Sequence, residues 1–550
     1  MAGTLAIECS FLRKTTDLPS VFGFDVAVKG ILDAILRYGT QDRILLFHPP
    51  ARPIPEEIVS GMKTHAEVRP ESLINLPRIL RKGDITCWFQ PDTQTEAVNY
   101  RSALSLFPFP FSTVIHIAWS PRLIRTQFLW LLLDAFAPCD SFICTSQSVR
   151  HAVRETLDYM IEELRRCNSA KLAYKGRLDV LPLGVDTDRF RPLCKPEVRR
   201  ELMWPEDAFT ILWLGRFSVV DKADLLPALR MFRRLVETNP NKRLRFVLAG
   251  TDRSDIPFYP SILEFAGALG VGENVIVLPH VAQDNRHKLF AAADVFTSPV
   301  DNLQETFGIA PVEAMAAGTP QVVSDWDGYK DTVEHGVTGY KIPTYWAGAD
   351  TDEQTAYGIG GFGYQGFLFA QSVVVDLREY QAALQRLISD PGLHEAMSHA
   401  SRARALRLFS WPTVVRSYEE LWSELSAISR SLQKSDFPEA PFARAMVYRR
   451  FASFPTFALT GSEPICISDE GARLLSGAEP FPWHSPIEQC FISEEQMKFI
   501  LDFIARLPGT FEGIVSRLVA NGSGERGAIV RALMWGMKHG LLEKAHEGTH

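Results

Sequence analysis

Short apolar runs alternate with helical patterns twice along this chain, and that repeated alternation constrains the fold more tightly than any other feature. In the N-terminal half the runs are Thr4–Phe11, Arg43–His48, Ile85–Gln90, Thr113–Trp119 and Asp140–Ser146. Helical patterns fill the gaps at Gly23–Leu36, Pro121–Ala135 and Val149–Arg166. Strands that alternate with helices pair in parallel, because each helix carries the chain back along the sheet, and the helices then cover both faces. A second series runs from Phe209 to Pro343, with strands near Phe209–Leu214, Leu244–Ala249, Val275–Leu278, Val295–Ser298 and Gln321–Ser324, then Gly339–Pro343. An α/β protein with two parallel sheets is the expectation.

Between Val295–Pro299 and a helix expected over Ile309–Ala317 lies Glu305-Thr306-Phe307-Gly308, and Glu313 follows eight residues after Glu305. Gly318 stops that helix just past its end, with Pro320 two residues on. A strand, a loop and a helix start at Gly308 describe an anion cradle. The N–H groups near Phe307, Gly308 and Ile309 lack helical partners, and the helix dipole adds positive potential. A phosphate held there leaves Glu305 beside a sugar hung from it. Glu313, about two turns along, is placed to accept both hydroxyls of a ribose. On spacing alone, a plain helix start with one solvated Glu stays open.

Ile211–Arg216 reads as a buried strand ending in a Gly215 turn. A helix follows from about Asp224, with Leu225, Leu229, Phe232, Leu235 and Val236 at helical spacing. Arg216 leaves the strand end and Lys222 precedes the helix, so both cations can converge on one diphosphate. The carboxyl end of a strand is where α/β sheets bind ligands. Solvated surface cations are the other reading of this pair.

The Glu305–Glu313 stretch, running on through Val312-Glu313-Ala314-Met315-Ala316-Ala317-Gly318-Thr319-Pro320, resembles the E-x7-E signature of the retaining glycosyltransferases of family 4, in the GT-B class. Leu181–Pro192 is similar to that family's hinge between two halves. Phe409-Ser410-Trp411-Pro412, with Val414, Val415, Tyr418, Leu421 and Trp422, resembles its closing helix, which crosses back onto the first domain. The resemblance implies a GT-B fold: a Rossmann-like acceptor-side domain over 1–192 with the returning helix 410–428, a Rossmann-like nucleotide-sugar domain over 205–409, and a cleft between them. It implies that Arg216 and Lys222 neutralise a leaving nucleoside diphosphate and that His116 sits near the donor sugar. Gly23 matches the family's Gly-rich loop at phosphate or acceptor. His116 also reads as a satisfied core histidine among Val114, Ile115 and Ile117. Two positions depart from the pattern: Ala223 stands where the family usually has Gly, and Gly23 stands alone where relatives show two glycines.

Two segments lie outside the family pattern. Tyr345–Gln371 is rich in Gly, Tyr and Phe, so no packed helix is expected there; a lid or acceptor-contact loop and an ordinary surface excursion are the two readings. Residues 435–550 are expected to form a small, mostly helical accessory domain. Thr510–Ala520 and Glu525–His539 resemble a helix-turn-helix or winged-helix pattern, with Ile529, Val530, Leu533, Met534 and Met537 as the buried stripe and Gly540 as C-cap. Arg526, Arg531 and Lys538 are too few for a phosphate-binding face, and a net charge of −7 argues against nucleic acid. A protein or peripheral membrane contact is the expectation for this domain.

Eight cysteines without a C-x-x-C read as reduced thiols, and Met1–Asp17 lacks a basic stretch followed by an apolar one, so a cytoplasmic protein is expected. Phe128–Cys139 is broken by Asp134 and too short to span a bilayer. The Asp-x-Asp pairs at Asp186, Asp325 and Asp350 are too common a pattern to indicate a metal, and no metal or cofactor is expected. These readings lead to transfer of a hexosyl-type group from a nucleoside-diphosphate sugar to a saccharide, lipid-linked, protein or small-molecule acceptor, with retention implied by the resemblance alone. A non-catalytic GT-B scaffold that binds through its C-terminal module, and a GT-B sugar phosphorylase, remain as alternatives.

Overall fold

The structure, a computed structural model, describes residues 3–9, 23–60, 64–105, 107–118, 127–252, 258–347, 362–439, 447–457, 459–482 and 492–545. The chain divides into two compact units: Met1–Phe47, Ile54–Glu71 and Pro77–Ala443 form the first, and His48–Pro53, Ser72–Leu76 and Arg444–His550 the second. No helix among the described residues is long and apolar enough to cross a membrane.

The first unit holds two six-stranded sheets. One contains β1 (Thr4–Glu8), β2 (Arg43–His48), β3 (Glu67–Ser72), β4 (Ile85–Gln90), β5 (Phe111–Val114) and β6 (Ser141–Ile143), in the order β3-β2-β1-β4-β5-β6. The other contains β7 (Phe209–Arg216), β8 (Leu244–Thr251), β9 (Val275–Leu278), β10 (Val295–Ser298), β11 (Gln321–Ser324) and β12 (Gly339–Ile342), in the order β12-β11-β10-β7-β8-β9. Renumbered from its own first strand, the second sheet repeats the order of the first. The pairing is parallel from β2 through β1, β4 and β5 to β6, and from β12 through to β9. These are two Rossmann-like sheets, and together they form the two halves of a GT-B fold with a cleft between them. In each, the strand order reverses beside the first strand, between β1 and β4 and between β7 and β10. Loops leaving those neighbours diverge to opposite faces and open a crevice at the carboxyl ends.

Local sequence explains these elements. Ile211, Leu212 and Trp213 are all nearly inaccessible, as a strand covered on both faces requires. The helix after β7 spans Leu226–Thr238 and buries Ala228, Leu229, Met231, Phe232 and Leu235, leaving its arginines outward. It starts two residues later than expected: Asp224 lies before the helix, where its carboxylate accepts the Leu226 N–H at 2.9 Å. The Thr4–Phe11 run yields a strand only to Glu8, and residues 10–22 lie outside the described residues. β5 begins two residues before the expected Thr113, so His116 falls just past the strand end. Of the helix expected over Pro121–Ala135, Leu129–Leu133 is described as helical and 121–126 lie outside the described residues.

The returning helix spans Trp411–Ser431 and buries Val414, Val415, Tyr418, Leu421, Trp422 and Leu425. Its Trp422 indole donates to the Ser112 hydroxyl at 2.9 Å, and the Ser426 hydroxyl donates to the Thr86 carbonyl at 2.9 Å. Tyr418 and Trp422 pack on Phe89 at 5.5 and 5.1 Å between ring centres. These contacts hold the end of the second half against the first sheet.

Two expectations need correction. The Gly-rich segment does form a helix, Phe362–Ala370, and its flanks pair as an antiparallel hairpin of β13 (Thr344–Trp346) and β14 (Val373–Val375). Each glycine costs a helix only about 1 kcal/mol. Burial of Gln365, Gly366 and Ala370 on one face outweighs that preference. In the second unit, β15 (Pro464–Ile467) sits between β16 (Gly509–Thr510) and β17 (Leu542–Lys544) in an antiparallel sheet, packed with helices Glu494–Arg506, Phe511–Ala520 and Arg526–Lys538. The last helix buries Ile529, Ala532, Leu533 and Gly536, whereas the expected Met534 is 45% exposed. Its inner face is turned by small residues: Gly536 leaves no room for a Cβ beside Leu542. Gly540 follows the helix end at φ +71° as expected, and Leu541 N–H closes back on the Gly536 carbonyl at 2.8 Å.

One buried ion pair braces the first sheet. Arg101 donates two bonds of 2.7 Å to the Asp140 carboxylate and two more to the Phe109 and Ala135 carbonyls. The same carboxylate accepts the Phe111 and Ala137 N–H groups. Arg101→Met should strand that carboxylate in a site with no exposure and lower stability by roughly 3–5 kcal/mol. Chemical denaturation of the variant checks this. A change below 1 kcal/mol would mean that the packing of β5 and β6 does not depend on the pair.

Candidate active site

β7 ends at Gly215–Arg216, and the following turn closes on itself: Lys222 and Ala223 N–H both donate to the Ser218 carbonyl, at 3.2 and 3.1 Å. Ala223, the departure from glycine, is buried inside this turn. Lys222 Nζ lies 2.7 Å from Glu305 Oε2, and Arg216 lies 2.7 Å from Asp221. Arg216, Lys222 and Glu305 therefore gather where β7 and β10 end, at the switch point of the second sheet. Asp221 and Glu305 hold the two cations in low-exposure positions, with the Lys222 and Arg216 side chains 26% and 22% exposed.

The loop after β10 is braced from the same turn. The Asn302 amide donates to the Lys222 carbonyl at 2.5 Å, and Gln304 N–H donates to the Asn302 side-chain oxygen at 2.7 Å. Asp301 accepts the Asp224 N–H. Burial pushes the Asp301 carboxyl up to about 8, with the nearby Asp224 adding to the rise and the backbone N–H opposing it.

Gly308 then turns the chain into the helix Ile309–Ala316 at φ +87°, a left-handed conformation that a side chain disfavours. A Cβ there would drive into the Tyr329 ring, whose hydroxyl is bonded to Ser298 at the end of β10 at 2.8 Å. The first N–H groups of this helix have no intrahelical acceptors. Phe307 contributes backbone only, since its ring is buried edge-on against Phe409 at 6.0 Å.

Glu313 is 4% exposed and paired with Arg286 at 2.5 Å. Burial raises its carboxyl above the ordinary value, opposed by the charges of Arg286 and Arg189. Arg286 escaped the reading of the sequence, although one signal was present. A cation at the first position of a helix, Arg286–Ala292, opposes the helix dipole and calls for an anionic partner. That partner is 27 residues away in sequence.

From the other half, His116 approaches the donor-side loop through its main chain: the Thr306 hydroxyl donates to the His116 carbonyl at 3.3 Å, and the Thr145 hydroxyl donates to the Thr306 carbonyl at 3.1 Å. The His116 ring nitrogen Nε2 lies 2.8 Å from the Pro91 carbonyl and donates to it. Burial lowers its pKa to about 4, so the ring is neutral at pH 7. Gly23 is the first residue of the helix Gly23–Tyr38, and the loop before it lies outside the described residues. Of the Asp-x-Asp pairs, Asp186 caps the hinge by accepting the Asp188 and Arg189 N–H groups, Asp325 faces Lys330 and Lys341, and Asp350 lies outside the described residues.

Residues 195–351 match the family described as Glycosyl transferases group 1. Curated relatives include the D-inositol 3-phosphate glycosyltransferase of Nocardia farcinica, 28% identical over 46% of this chain and 57% of its own length. The enzyme of that name from Streptosporangium roseum is 30% identical over 32% of this chain and 41% of its own. The chain thus spans about half the length of the curated relatives it matches. Among solved structures, sucrose-phosphate synthase from Thermosynechococcus elongatus covers 78% of this chain and all of its own at 18% identity, with a TM-score of 0.50. Anabaena HepE in complex with UDP covers 77% and all of its own at 14% identity, also at 0.50. The chain has the GT-B fold and is related to the group 1 glycosyl transferases over residues 195–351.

Removing either partner of a buried pair leaves a charge without compensation. Arg286→Ala should destabilise the protein by an amount near the lower end of roughly 3–5 kcal/mol, since the guanidinium keeps some solvent contact. Adding Glu313→Gln to that variant should recover most of the loss, and an additive double-mutant cycle would show that the pair is not coupled.

Asp301 gives a pH test. Its carboxyl titrates near its ordinary value of about 4 in the unfolded chain and at about 8 when folded. Over that interval the native state holds the extra proton, so stability is highest at the acid end and falls as pH rises through 8. Glu8, raised to about 7, and Asp92, raised to about 6, act in the same direction. Thermal melts should show Tm falling from pH 5 to 8, with a shallower fall in Asp301→Asn; identical slopes would place Asp301 outside this balance.

Proposed function

We propose that this protein transfers a glycosyl group from a nucleoside-diphosphate sugar to an acceptor, with retention at the anomeric carbon. The observation that carries the reading is the meeting of Arg216, Lys222 and Glu305 at the ends of β7 and β10, above the start of the helix Ile309–Ala316. Two cations and a helix end are the parts a leaving diphosphate needs, and a carboxylate between them is the part a sugar hydroxyl needs. The relationship to group 1 glycosyl transferases over 195–351 supports the same class. HepE carries UDP on this fold, so uridine nucleotides are the first donors to test. The relatives named for D-inositol 3-phosphate point to a hydroxyl-bearing acceptor without specifying one for this chain.

In the proposed reaction the bond from the anomeric carbon to the diphosphate breaks first. Its negative charge is met by Arg216, Lys222 and the N–H groups at Gly308 and Ile309. An acceptor oxygen attacks from the face the diphosphate leaves, and a departing phosphate oxygen takes its proton, so no protein base is required. Catalysis then consists of fixed dipoles aimed at developing charge, together with positioning. Glu305 binds hydroxyls of the transferred sugar and Glu313 those of the ribose. Both carboxylates exchange a cation for a ligand when the donor arrives: Glu305 shares Lys222, and Glu313 shares Arg286. His116, neutral at pH 7, lines the sugar end as a hydrogen-bonding group and does not act as a cation.

Lys222→Ala should lower kcat about a hundred- to thousand-fold, the loss expected for one contact to a developing oxyanion. Glu313→Gln should weaken nucleoside-diphosphate binding while Glu305→Gln leaves it nearly unchanged, its cost falling on turnover. Calorimetric UDP titrations and steady-state rates separate the two, and equal losses of UDP affinity would sink the assignment. Release of a sugar phosphate from a glycan and inorganic phosphate would identify a phosphorylase instead.

A further inference from the structure

The loop after β11 turns at Asp325–Gly328, and it is tied to the donor-side residues by a chain of hydrogen bonds. Gly328 N–H donates to the Glu305 carbonyl at 3.2 Å. The half-buried Trp326 indole donates to the Asn302 carbonyl at 2.7 Å, and Asn302 donates in turn to the carbonyl of Lys222, the partner of Glu305. Across the cleft the Ser148 hydroxyl donates to the Asp327 carbonyl at 3.1 Å, so this turn lies at the seam of the two halves.

Trp346 stands beside Trp326 with ring centres 5.7 Å apart and planes 40° apart, and it is 47% exposed. It comes from β13, which pairs with β14 in the antiparallel hairpin. Thr344 shares its strand face, since side chains two apart point the same way, and the Thr344 hydroxyl donates to the Asp325 carbonyl at 3.1 Å. That face of the hairpin therefore looks onto the 325–326 turn. One exposed aromatic is ordinary. Two indoles set as a shallow V, one of them hydrogen-bonded to the loop that carries Glu305, make a shaped surface.

The rim of that surface is polar. Asp325 lies 3.6 Å from Lys330 and 3.8 Å from Lys341, and Asp325 and Lys330 keep 40% and 47% of their side chains exposed. A neutral ring with an apolar face and a hydroxyl edge matches what is present: C–H bonds stack on the electron-rich indole faces, and hydroxyls reach the carboxylate and ammonium groups.

From this we infer that Trp326 and Trp346 form a stacking subsite for a pyranose ring of a glycan acceptor. The inference rests on the glycosyl-transfer reading above and narrows its acceptor to a sugar-bearing molecule. Trp346 comes from the hairpin and Trp326 from the loop after β11, so the subsite adjoins the loop that carries Glu305.

Titration of intrinsic tryptophan fluorescence in the full chain with maltose, cellobiose, lactose and α-1,6-mannobiose tests this, with saturation-transfer NMR on the same samples. At least one disaccharide should bind saturably in the presence of UDP. Trp346→Ala should weaken it roughly tenfold, the size of effect expected for one stacked ring, and Trp346→Phe should restore most of the affinity. Binding of none of the four overturns the subsite, as does binding that ignores Trp346→Ala. Trp346-dependent sedimentation with phosphatidylglycerol vesicles in place of sugar binding overturns it in favour of a membrane contact. Titrations with UDP, ADP and GDP separate the two levels: nucleotide binding without a sugar response fails the subsite alone, and no nucleotide binding fails the transfer reading.

Discussion

The contact on which the candidate site depends is a backbone-to-backbone approach between the loops that follow β10 and β11. Gly328 lies so close to Phe307 and the Thr306 carbonyl that no Cβ could occupy it, and its N–H closes on the Glu305 carbonyl. Because the two loops meet through main chain, their side chains are free to point elsewhere. Glu305 turns to Lys222, Thr306 reaches the His116 carbonyl, Tyr329 fills the space beside Gly308, and Trp326 reaches Asn302. A side chain at either glycine would separate the loops and misplace all four together.

A second constraint sets where the halves meet. Trp411 opens the returning helix and its ring lies against Gly184 of the hinge and Gly30 of the first long helix, again with no space for a Cβ at either. Val185 N–H pairs with the Phe409 carbonyl at 2.8 Å, so the outgoing and returning chains run side by side at the hinge. Arg402 joins this crossing to the helix Ile309–Ala316 by donating to the Thr187, Phe190 and Ala316 carbonyls.

The legibility of the fold in the sequence follows from burial. Ile211–Leu214 and Val295–Ser298 sit inside a sheet covered on both faces, so every position is apolar or small and the runs are unmistakable. Phe362–Ala370 failed because its glycines speak only for intrinsic preference, which a few buried contacts override. Met534 failed for a related reason. Helical spacing fixes a stripe only to within one residue, and the true inner face uses Ala532 and Gly536, which carry too little apolar surface to register. Within the site, Arg216, Lys222 and Glu305 were legible as motif positions, each beside a strand end. The Asp221 partner of Arg216, the Arg286 partner of Glu313 and the Asn302 brace were not, because pairing between loops leaves no periodic trace in one sequence.

The pairing of each proposed ligand group with an opposite charge decides how such a site can work. A bare Arg216 or Lys222 beside a sheet end would repel the other and draw in water. Burial raises the carboxyl of Glu313, which is 4% exposed, and the charges of Arg286 and Arg189 oppose that rise. Asp221, Glu305 and Arg286 orient the same groups from within the protein. A donor then gains less from each contact than it would from an unpaired charge, because a partner must be displaced or shared. That loss falls on ground-state binding. As the diphosphate separates from the sugar its charge grows, while the carboxylates keep the charge they had. In the proposed reaction the cations would then favour the diphosphate over Asp221 and Glu305 more strongly in the transition state than in the ground state. Differential attraction of that kind accelerates the chemical step without tightening the hold on the substrate.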